Sequence, residues 1–546
     1  MKFIKPIIIC IAVAVFLGNI NCLEKQTTPA VTSGELYQKL IDNPHIKEFP
    51  RGGQFAWYGC MGQVYYRPYR SLEGPGEHYP EFPARGMGQF LMYYKLTKNM
   101  EWLDTAIKYY EYILSRMNRD PDGYPAFLGP SWRDDKIWVD DFYEIKFFSG
   151  LMAFAETVLN DESLKNKYGN TTNSYISLAE QCIEKWDKRG CWYEEGSFGV
   201  YTSVNDRYVE PGNLTVWKYF DNPRRSTSSF NVVTDFGQLF VRLYGATGKE
   251  MHRDKAEKIF LNIKRRFQYT DDNYAWNYWE PFGTWDVNIK EKRVNSFIGL
   301  HPYRSEYNSF IVQKIADAYH HGIVFDEQDM KRIIKTNLEV MWNQDMENPE
   351  FIGLNGSGME RDTVGIASFR RSYGPSNDFK NQGELWTGLL DFDETIRNIY
   401  AVQIKNDAER LKRFKKWSRN NPPSFKRKYA EGKVTVPEIE FTKCSNISMA
   451  AVLPHIIENG KKSAIVCKSL DSGELGITLY SEDGKEKIKT IYKDEAKGFK
   501  SISSKDGICL ITWDGTDPDN KKSYKGNYRI RWTLGDEYRE FPVVIK

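Results

Sequence analysis

Hydrophobic residues recur at helical spacing from Gly86 to about residue 419, in paired segments of two kinds. The first segment of each pair carries apolar and small residues nearly all round, which is typical of a helix buried on both sides. The second has one apolar stripe and one charged face. The predicted pairs are Gly86–Thr97 with Met100–Met117, Asp140–Leu159 with Asn173–Lys188, Asn231–Gly245 with Arg253–Phe267, Ser305–Gly322 with Glu327–Trp342, and Gln382–Ile404 with Ala408–Trp417.

This alternation of buried and amphipathic helices predicts two concentric rings of helices. The buried members would form the inner ring and the amphipathic members the outer ring, whereas the pairs of a solenoid would all look alike. We therefore expect a mainly α fold, an (α/α)5–6 toroid of helical hairpins, in which residues 34–42 supply part of a sixth pair. A helical bundle without ring closure is the alternative.

Long segments rich in Trp, Tyr, Gly and Pro precede the buried helices. Long loops in a compact domain are usually functional. Because each one leads into a helix of the inner ring, we expect them to gather on one face and to surround a pocket there. The segments are Phe55–Arg85, Gly123–Val139, Cys191–Ser229, Asn273–Arg304 and Ile352–Asn381.

The pattern changes to period-two strands near the C-terminus. Residues 418–437 are polar, basic and contain proline, and turn residues separate the short segments that follow. We place the helical domain at 23–425, a linker at 426–437 and an all-β Ig-like sandwich at 438–546. Trp513–Leu534 resembles the closing hairpin of FlgD-type Ig-like modules. The expected strands are Ser463–Lys468, Leu475–Tyr480, Gly507–Thr512, Tyr528–Trp532 and Glu540–Ile545.

Residues 1–22 have the features of a secretory signal peptide. Lys2 and Lys5 form a positive n-region, and the apolar run Ile7–Leu17 is too short to span a bilayer. Cys22 stands where a bacterial lipoprotein carries its lipid, although Asn19 departs from the lipobox pattern. We expect export to the periplasm or cell surface, with or without a lipid anchor at Cys22; a membrane anchor is the alternative.

Export implies an oxidising compartment, which raises the question of disulfides. The spacing of the cysteines matches no zinc motif, so we expect neither a metal nor a cofactor. Buried free thiols are the default interpretation, and Cys182–Cys191 or a pair among the last three cysteines is the alternative. The cysteines beyond Cys22 are Cys60, Cys182, Cys191, Cys444, Cys467 and Cys509.

Composition narrows the class of ligand. The net charge is +3, and Lys2 and Lys5 account for two of these charges, so there is no electrostatic footprint for nucleic acid. Aromatic residues make up 15% of the chain, and aromatic rings serve as stacking platforms as well as core. P-loop, GxGxxG, GxSxG and HExxH motifs are lacking. Carboxylates, Tyr, Arg and Trp must therefore carry any chemistry, and a polysaccharide or oligosaccharide is the expected partner.

The segment Ile137–Glu156 opens with WVDDFY, which places Asp140 and Asp141 at the start of a buried helix after a Trp-rich loop. WVDDFY resembles the W-x-D-D segment of the unsaturated uronyl hydrolases, (α/α)6 toroids of the six-hairpin glycosidase superfamily. The resemblance implies that Asp140 or Asp141 is a general acid/base acting on an unsaturated uronic acid. It covers about twenty residues, and the second aspartate segment of that family is not found here. An N-cap with a first-turn acid is the alternative.

Further acidic residues occur at the starts of other buried helices. Asp235, Glu306 and Glu384 are such residues, and Glu384 precedes the stacking candidate Trp386. A glycosidase needs two carboxylates, one to protonate the leaving oxygen and one to activate water or attack. The loop Tyr274–Asp286 contains three tryptophans and is expected to be a sugar platform or, alternatively, a small loop core.

The segment LHPYRSEYNSF, Leu300–Phe310, suggests a different chemistry. Its polar side chains could neutralise a uronate carboxylate, take the C5 proton and protonate the leaving oxygen, as in toroidal polysaccharide lyases. Under a hydrolase mechanism Arg304, or Arg370, would instead bind the substrate carboxylate. Arg304 could also simply pair with a neighbouring acid.

Three functions follow from these patterns. The leading one is an exported glycoside hydrolase acting on uronic-acid glycans; a polysaccharide lyase and a non-catalytic glycan-binding lipoprotein are the alternatives. The candidate catalytic residues are Asp140, Asp141, Glu384, His301, Tyr303 and Tyr307. The candidate substrate-binding residues are Arg85, Trp132, Trp138, Tyr143, Trp276, Trp279, Trp285, Arg304, Asn308, Arg370 and Trp386.

Overall fold

The computed structural model describes two parts of the chain, one mainly helical and one built of strands. It describes parts of 88–130, and then residues 137–138, 142–204, 207–210, 213–219, 225–270, 272–294, 305–351, 383–429, 447–469 without 459, 472–496 and 508–546. The helical part reaches to residue 429, and the strands of the second part begin at residue 447.

The helices follow the predicted pairs. They are α1 Glu101–Leu114, α2 Tyr143–Leu159, α3 Glu162–Lys188, α4 Phe230–Thr247, α5 Glu250–Lys264, α6 Ser305–His320, α7 Glu327–Lys335, α8 Glu394–Gln403 and α9 Ala408–Asn420. A π-helical turn, Thr336–Met341, continues α7, and a 3₁₀ turn, Thr387–Leu389, precedes α8.

The two largest differences from the predicted helix starts are at α3 and α8, where aspartate caps define the first turn. The Asp161 carboxylate accepts hydrogen bonds from the backbone N–H groups of Ser163 and Leu164, so α3 begins 11 residues before the predicted Asn173. Asp393 caps α8 in the same way by accepting from the N–H of Ile396. The segment 382–404 is therefore a 3₁₀ turn followed by a short helix, not one long helix.

The buried helices pack against one another and against their amphipathic partners. α4 contacts α2 and α6 as well as its partner α5, and α2 packs on α3. The fully buried Lys185 of α3 forms an ion pair with Glu144 of α2, and its Nζ also donates to the carbonyl of Pro125 at 3.0 Å. The aromatic-rich core lies between these layers. A helical core of buried and covering helices is thus confirmed.

Much of the sequence predicted as long loops forms short strands. These strands are β1 Asn118–Arg119, β2 Pro125–Ala126, β3 Gly129–Pro130, β4 Ile137–Trp138, β5 Trp192–Glu195, β6 Phe198–Val204, β7 Arg207–Glu210, β8 Asn213–Tyr219, β9 Arg225–Thr227, β10 Gln268–Thr270, β11 Asn273–Ala275, β12 Val287–Asn288 and β13 Arg293–Val294. β3, β4, β7 and β8 make a four-stranded sheet, and β5, β6 and β9 make a three-stranded one.

The C-terminal part, which we call the β domain, consists of two sheets with a shared core. The strands are β14 Ile447–Leu453, β15 Ile456–Ile457, β16 Ser463–Ser469, β17 Gly473–Ser481, β18 Lys487–Ala496, β19 Ile508–Trp513, β20 Gly526–Leu534 and β21 Glu537–Ile545. One sheet has the order β14-β16-β19 and the other β15-β21-β20-β17-β18. Side chains from both sheets, such as Ile465 and Trp532, join one hydrophobic cluster.

The cysteines that the structure describes form no disulfide. Cys182 and Cys191 are buried in the helical part and are not cross-linked to each other. Cys467 and Cys509 lie directly opposite each other on the antiparallel strands β16 and β19, and no disulfide joins them either. Cys22, Cys60 and Cys444 lie outside the described residues.

Candidate active site

A stripe of polar side chains connects the three buried helices α2, α4 and α6. Its members, which we call the polar stripe, recur three, four or seven positions apart along each helix, so each set lies on one helical face. They are Lys146, Ser149 and Glu156 of α2, Asn231, Asp235, Gln238 and Arg242 of α4, and Lys314, Asp317 and His321 at and just beyond α6.

The first layer of the stripe is an ion cluster centred on Asp235. This carboxylate forms an ion pair with the Lys314 ammonium and lies 3.8 Å from Lys146 Nζ. Asp235 and Lys314 are both buried. Lys314 Nζ also donates to the carbonyl of Asn231 at 2.8 Å. Burial lowers the pKa of Lys314, and Asp235 opposes that effect.

The second layer is centred on Asp317. Arg242 Nη2 lies 2.9 Å from Asp317 Oδ2, and Gln238 donates to the same oxygen. Arg242 also donates to the carbonyl of Ser149 at 2.9 Å, which connects α4 to α2. Burial alone would raise the pKa of Asp317, but Arg242 and Gln238 outweigh it and the net pKa is lowered. Asp317 is therefore an ionised structural partner.

The third layer is a buried acid–base pair. His321 Nε2 lies 2.6 Å from Glu156 Oε1, and the His321 ring stacks on Tyr429 with centroids 4.1 Å apart. Burial opposes the charge on His321, but the hydrogen bond with Glu156 outweighs it and the pKa of His321 is raised. Tyr429 belongs to the predicted linker, so the start of that segment lies against the helical part.

Together the three layers show that α2, α4 and α6 run parallel. Contacts advance in the same direction on all three helices, from Lys146 with Asp235 and Lys314 to Glu156 with His321. Their N-terminal ends therefore lie at one end of the helical part.

Gly245 of α4 provides the space for the third layer, which leads to a stability prediction. A Cβ at Gly245 would lie 2.6 Å from Glu156 Oε1 and 3.0 Å from His321 Nε2. We expect Gly245→Ala to destabilise the protein by about 1–3 kcal/mol, because overpacking forces the buried pair apart. Urea unfolding followed by circular dichroism measures the difference.

Gly169 of α3 is the matched control. A Cβ there would meet only Lys165 Cγ, at 3.8 Å. Gly169→Ala should stabilise the protein by about 0.5–1 kcal/mol, since alanine favours a helix interior. Equal effects of the two substitutions would contradict the close packing around Gly245.

The start of α2 has an unusual backbone. Phe142 is its N-cap residue and adopts a left-handed conformation with φ 62° and ψ 10°. This conformation costs a non-glycine residue about 1–3 kcal/mol and is concentrated at functional sites. The Phe142 ring is held between Trp186 and Phe236, with centroids 4.7 and 4.9 Å away. Asp140 and Asp141 precede this residue, so neither is the N-cap of α2.

Several predicted site residues lie outside the part of the chain that the structure describes. Three other predicted site residues are inside that part: Trp138 lies in β4, Tyr143 is the first residue of α2, and Tyr307 lies in the first turn of α6. Those outside the described residues are Arg85, Trp132, Asp140, Asp141, His301, Tyr303, Arg304 and Arg370.

Three predicted residues meet at the start of α6. Trp276 Nε1 donates to Asn308 Oδ1 at 3.1 Å, and the Trp276 ring lies 5.5 Å from that of Trp386. All three side chains are buried, with exposures of 2% or less. Neither tryptophan ring is open to a sugar in this conformation. Their burial matches the alternative interpretation of the loop as a small core.

The other two tryptophans of the loop lie away from this cluster. Trp279 packs against the hydrophobic cluster in which Val287 meets side chains from strands β14, β16 and β19 of the β domain. Trp285 meets Tyr193 edge to face, and its Nε1 donates to Thr227 Oγ1 at 3.2 Å. The three indoles of this loop therefore lie in different surroundings and do not form one platform.

The acids of the same loop are buried and bonded. Burial raises the pKa of Asp286, although hydrogen bonds from Thr227 and from the backbone of Phe282 oppose the shift. Glu280 forms ion pairs with Arg266 and Arg539. Both carboxylates therefore have structural partners.

Glu384 lies outside regular secondary structure, before the 3₁₀ turn Thr387–Leu389. Its side chain is half-buried, and its carbonyl accepts from Asn337 Nδ2 at 3.2 Å. The same Asn337 side chain accepts from the N–H of Trp386 at 3.1 Å. Asn337 thus fixes the backbone on both sides of Leu385.

Lys146, Lys314, Arg242 and Asp317 were not among the predicted site residues. The signal that could have found them is a polar residue at every third or fourth position of an otherwise apolar helix. Among the residues described, no group of three or more His, Cys, Asp or Glu side chains is placed to hold a metal ion. None of the described helices is long and apolar enough to cross a membrane.

Comparison with protein-family models and with curated proteins gives no match. Solved structures that match in part include a family 76 glycoside hydrolase from a bovine Bacteroides thetaiotaomicron strain, at 12% identity and a TM-score of 0.31, covering 48% of this chain and 47% of that one. Another is a family 76 mannosidase from Bacteroides thetaiotaomicron, at 13% identity and a TM-score of 0.32, covering 52% and 65%. The chain thus spans less than two thirds of either hydrolase, and scores this low assign neither fold nor activity.

Proposed function

We propose that the protein is an exported glycoside hydrolase that cleaves uronic-acid-containing polysaccharides or oligosaccharides with carboxylate general acid/base catalysis. The observation that carries the proposal is the parallel arrangement of α2, α4 and α6. Their N-terminal ends lie together, and in this proposal the residues that precede α2 and α6 in the sequence, Asp140-Asp141 and Arg304, would act there on one substrate. The strained Phe142 directly after the pair supports a functional role over a simple cap.

In this proposal the residues divide the reaction between them. Asp140 or Asp141 protonates the glycosidic oxygen, and a second carboxylate, for which Glu384 is the candidate, activates water or attacks the anomeric carbon. Arg304 binds the uronate carboxylate through a charge-assisted contact. The polar stripe beneath keeps the three helix ends in register with buried ion pairs.

The proposed architecture extends the observed helical core. The inner helices would close into an (α/α) toroid spanning 23–425, after a signal peptide at 1–22. A linker at 426–437 would lead to an Ig-like domain at 438–546. Cys22 would carry the lipid if the protein is anchored at the periplasmic or outer surface.

A glycan screen tests the proposal. Purified protein is incubated with uronate-containing polysaccharides, with their lyase digests and, because one structural neighbour is a mannosidase, with mannans. We expect new reducing ends from uronic-acid substrates without new unsaturated uronate in the ultraviolet spectrum. New unsaturated uronate would indicate a lyase, cleavage of mannans alone would overturn the uronic-acid assignment, and binding without turnover would indicate a glycan-binding protein.

A further inference from the structure

The loop Tyr274–Asp286 lies between the helical part and the β domain. On the helical side its Tyr278 carbonyl accepts a hydrogen bond from the N–H of Phe230, the first residue of α4, at 3.0 Å. Its Trp276 bonds Asn308 of α6. The loop therefore holds the N-terminal ends of two of the three parallel helices.

Glu280 connects this loop to both neighbours. The carboxylate is fully buried, and Asn277 Nδ2 donates to it at 2.6 Å from within the loop. Arg266, just beyond α5, lies 3.2 Å away and also donates to the carbonyl of Pro281. Arg539 of β21 lies 3.1 Å away, on the other oxygen from Arg266. One carboxylate thus joins the helical part, the loop and the β domain.

Apolar and polar contacts surround this ion pair. The Arg265 guanidinium lies 3.8 Å from the ring centroid of Phe198 and 5.1 Å from that of Phe541 in the β domain. Nearby, His455 Nδ1 lies 2.8 Å from Glu195 Oε2, and the N–H of Ile456 donates to Glu195 at 2.7 Å. The charged members are all buried.

Because the charged side chains of this interface are buried, breaking any one of its contacts alone is unfavourable. A charge that loses its partner inside a protein is far more costly than an exposed one, because neither water nor a counter-charge replaces the lost contact. Val287 and Val294, at the end of the same loop region, pack with Met449 and Val466 in one cluster. A freely tethered module would share neither a buried ion pair nor a hydrophobic cluster with its neighbour.

We infer that the β domain is a fixed part of the proposed catalytic unit, and that Arg539 is a positioning residue that holds, through Glu280, the loop bracing the starts of α4 and α6. The assignment of these helix ends to the substrate side rests on the proposed function. The inference that the β domain is fixed against the helical part depends only on the contacts described above, not on the proposed function. The β domain would then act on catalysis without touching the sugar.

Hydrogen–deuterium exchange on the full-length protein tests this inference. Arg539→Leu removes the cation and leaves the loop carboxylate with Arg266 and Asn277. We expect amide exchange in 274–286 and at the start of α4 to become about tenfold faster or more, while exchange in α3 stays unchanged. Arg539→Lys, which restores a cation, should recover part of the protection.

Arg531→Leu is the matched control. Arg531 lies on β20 of the same domain, pairs with Glu540 and stacks between Tyr480 and Tyr538. It should leave exchange in 274–286 unchanged. If Arg539→Leu does not fold, Arg539→Gln gives the same comparison with a neutral donor.

The outcomes separate this inference from the proposed function. Unchanged exchange in a folded Arg539 variant, or equal acceleration in every peptide, would overturn the positioning role even if the wild type cleaves glycans. Faster exchange confined to the loop and the start of α4 supports that role even if no glycan is cleaved. If a substrate is found, Arg539→Leu should act mainly on kcat. The factor by which it lowers kcat should be at least ten times the factor by which it raises KM.

Discussion

At least one of the variants Asp141→Asn and Asp140→Asn should lower kcat on a uronic-acid oligosaccharide by about 10²–10⁴-fold, because the proposed mechanism needs one of these carboxyl groups to move a proton. An amide keeps the size and shape of the side chain, but it can neither donate nor accept the proton that the glycosidic oxygen requires. Reducing-end release under saturating substrate measures the effect. Circular dichroism and the unfolding midpoint of each variant establish that it is folded.

Asp161→Asn is the control for this experiment. Asp161 caps α3 by accepting two backbone hydrogen bonds, and asparagine caps helices about equally well. Turnover of this variant should match that of the wild type. Near-wild-type turnover in both Asp140 and Asp141 variants would remove these residues from the mechanism and favour the alternative acids at the other helix starts.

Asp235→Ala should lower the free energy of unfolding by about 3–5 kcal/mol, because it leaves the buried Lys314 ammonium without its carboxylate. Asp235 and Lys314 have exposures of 4% and 6%, so water cannot replace the lost partner. The pKa of Lys314 is already lowered by burial, and removing the opposing carboxylate lowers it further. Guanidinium unfolding at neutral pH measures the loss.

Two companion variants separate the buried charge from a general packing defect. The double variant Asp235→Ala/Lys314→Met should regain much of the loss, since the buried Lys314 charge is removed together with its partner. Glu474→Gln breaks the exposed pair with Lys493, whose side chains are 61% and 60% exposed, and should cost at most about 1 kcal/mol. A double variant no more stable than Asp235→Ala would contradict this explanation.

Helix periodicity predicted the helical hairpins well, because it depends on residues close together in the chain. The buried character of segments such as Asn231–Gly245 was predicted from apolar and small residues around most of the helix, and α4 is indeed buried, although one of its faces carries the polar stripe. The errors arose where a single capping residue decided the boundary, as Asp161 and Asp393 do. Strands inside the predicted loops were missed because their pairing partners, such as β4 and β7, are about 70 residues apart.

The candidate site was harder to predict, because the composition of a loop does not determine the direction of its side chains. Trp276, Trp279 and Trp285 are close in sequence and share one residue type, which favoured a common platform. In the structure each indole meets a different neighbour: Asn308, the β domain or Thr227. The identities of those partners depend on contacts between distant segments.

The sequence by itself determined the alternation of buried and amphipathic helices, the position of Asp140-Asp141 before a buried helix, and the change to strands near the C-terminus. Only the tertiary structure decided that Lys146, Asp235 and Lys314 meet, that α2, α4 and α6 run parallel, and that the β domain contributes Arg539 to a loop carboxylate. The physical reason is the distance along the chain over which each interaction acts. Local periodicity and capping depend on neighbours along the chain, whereas charge pairing and burial depend on which segments pack together.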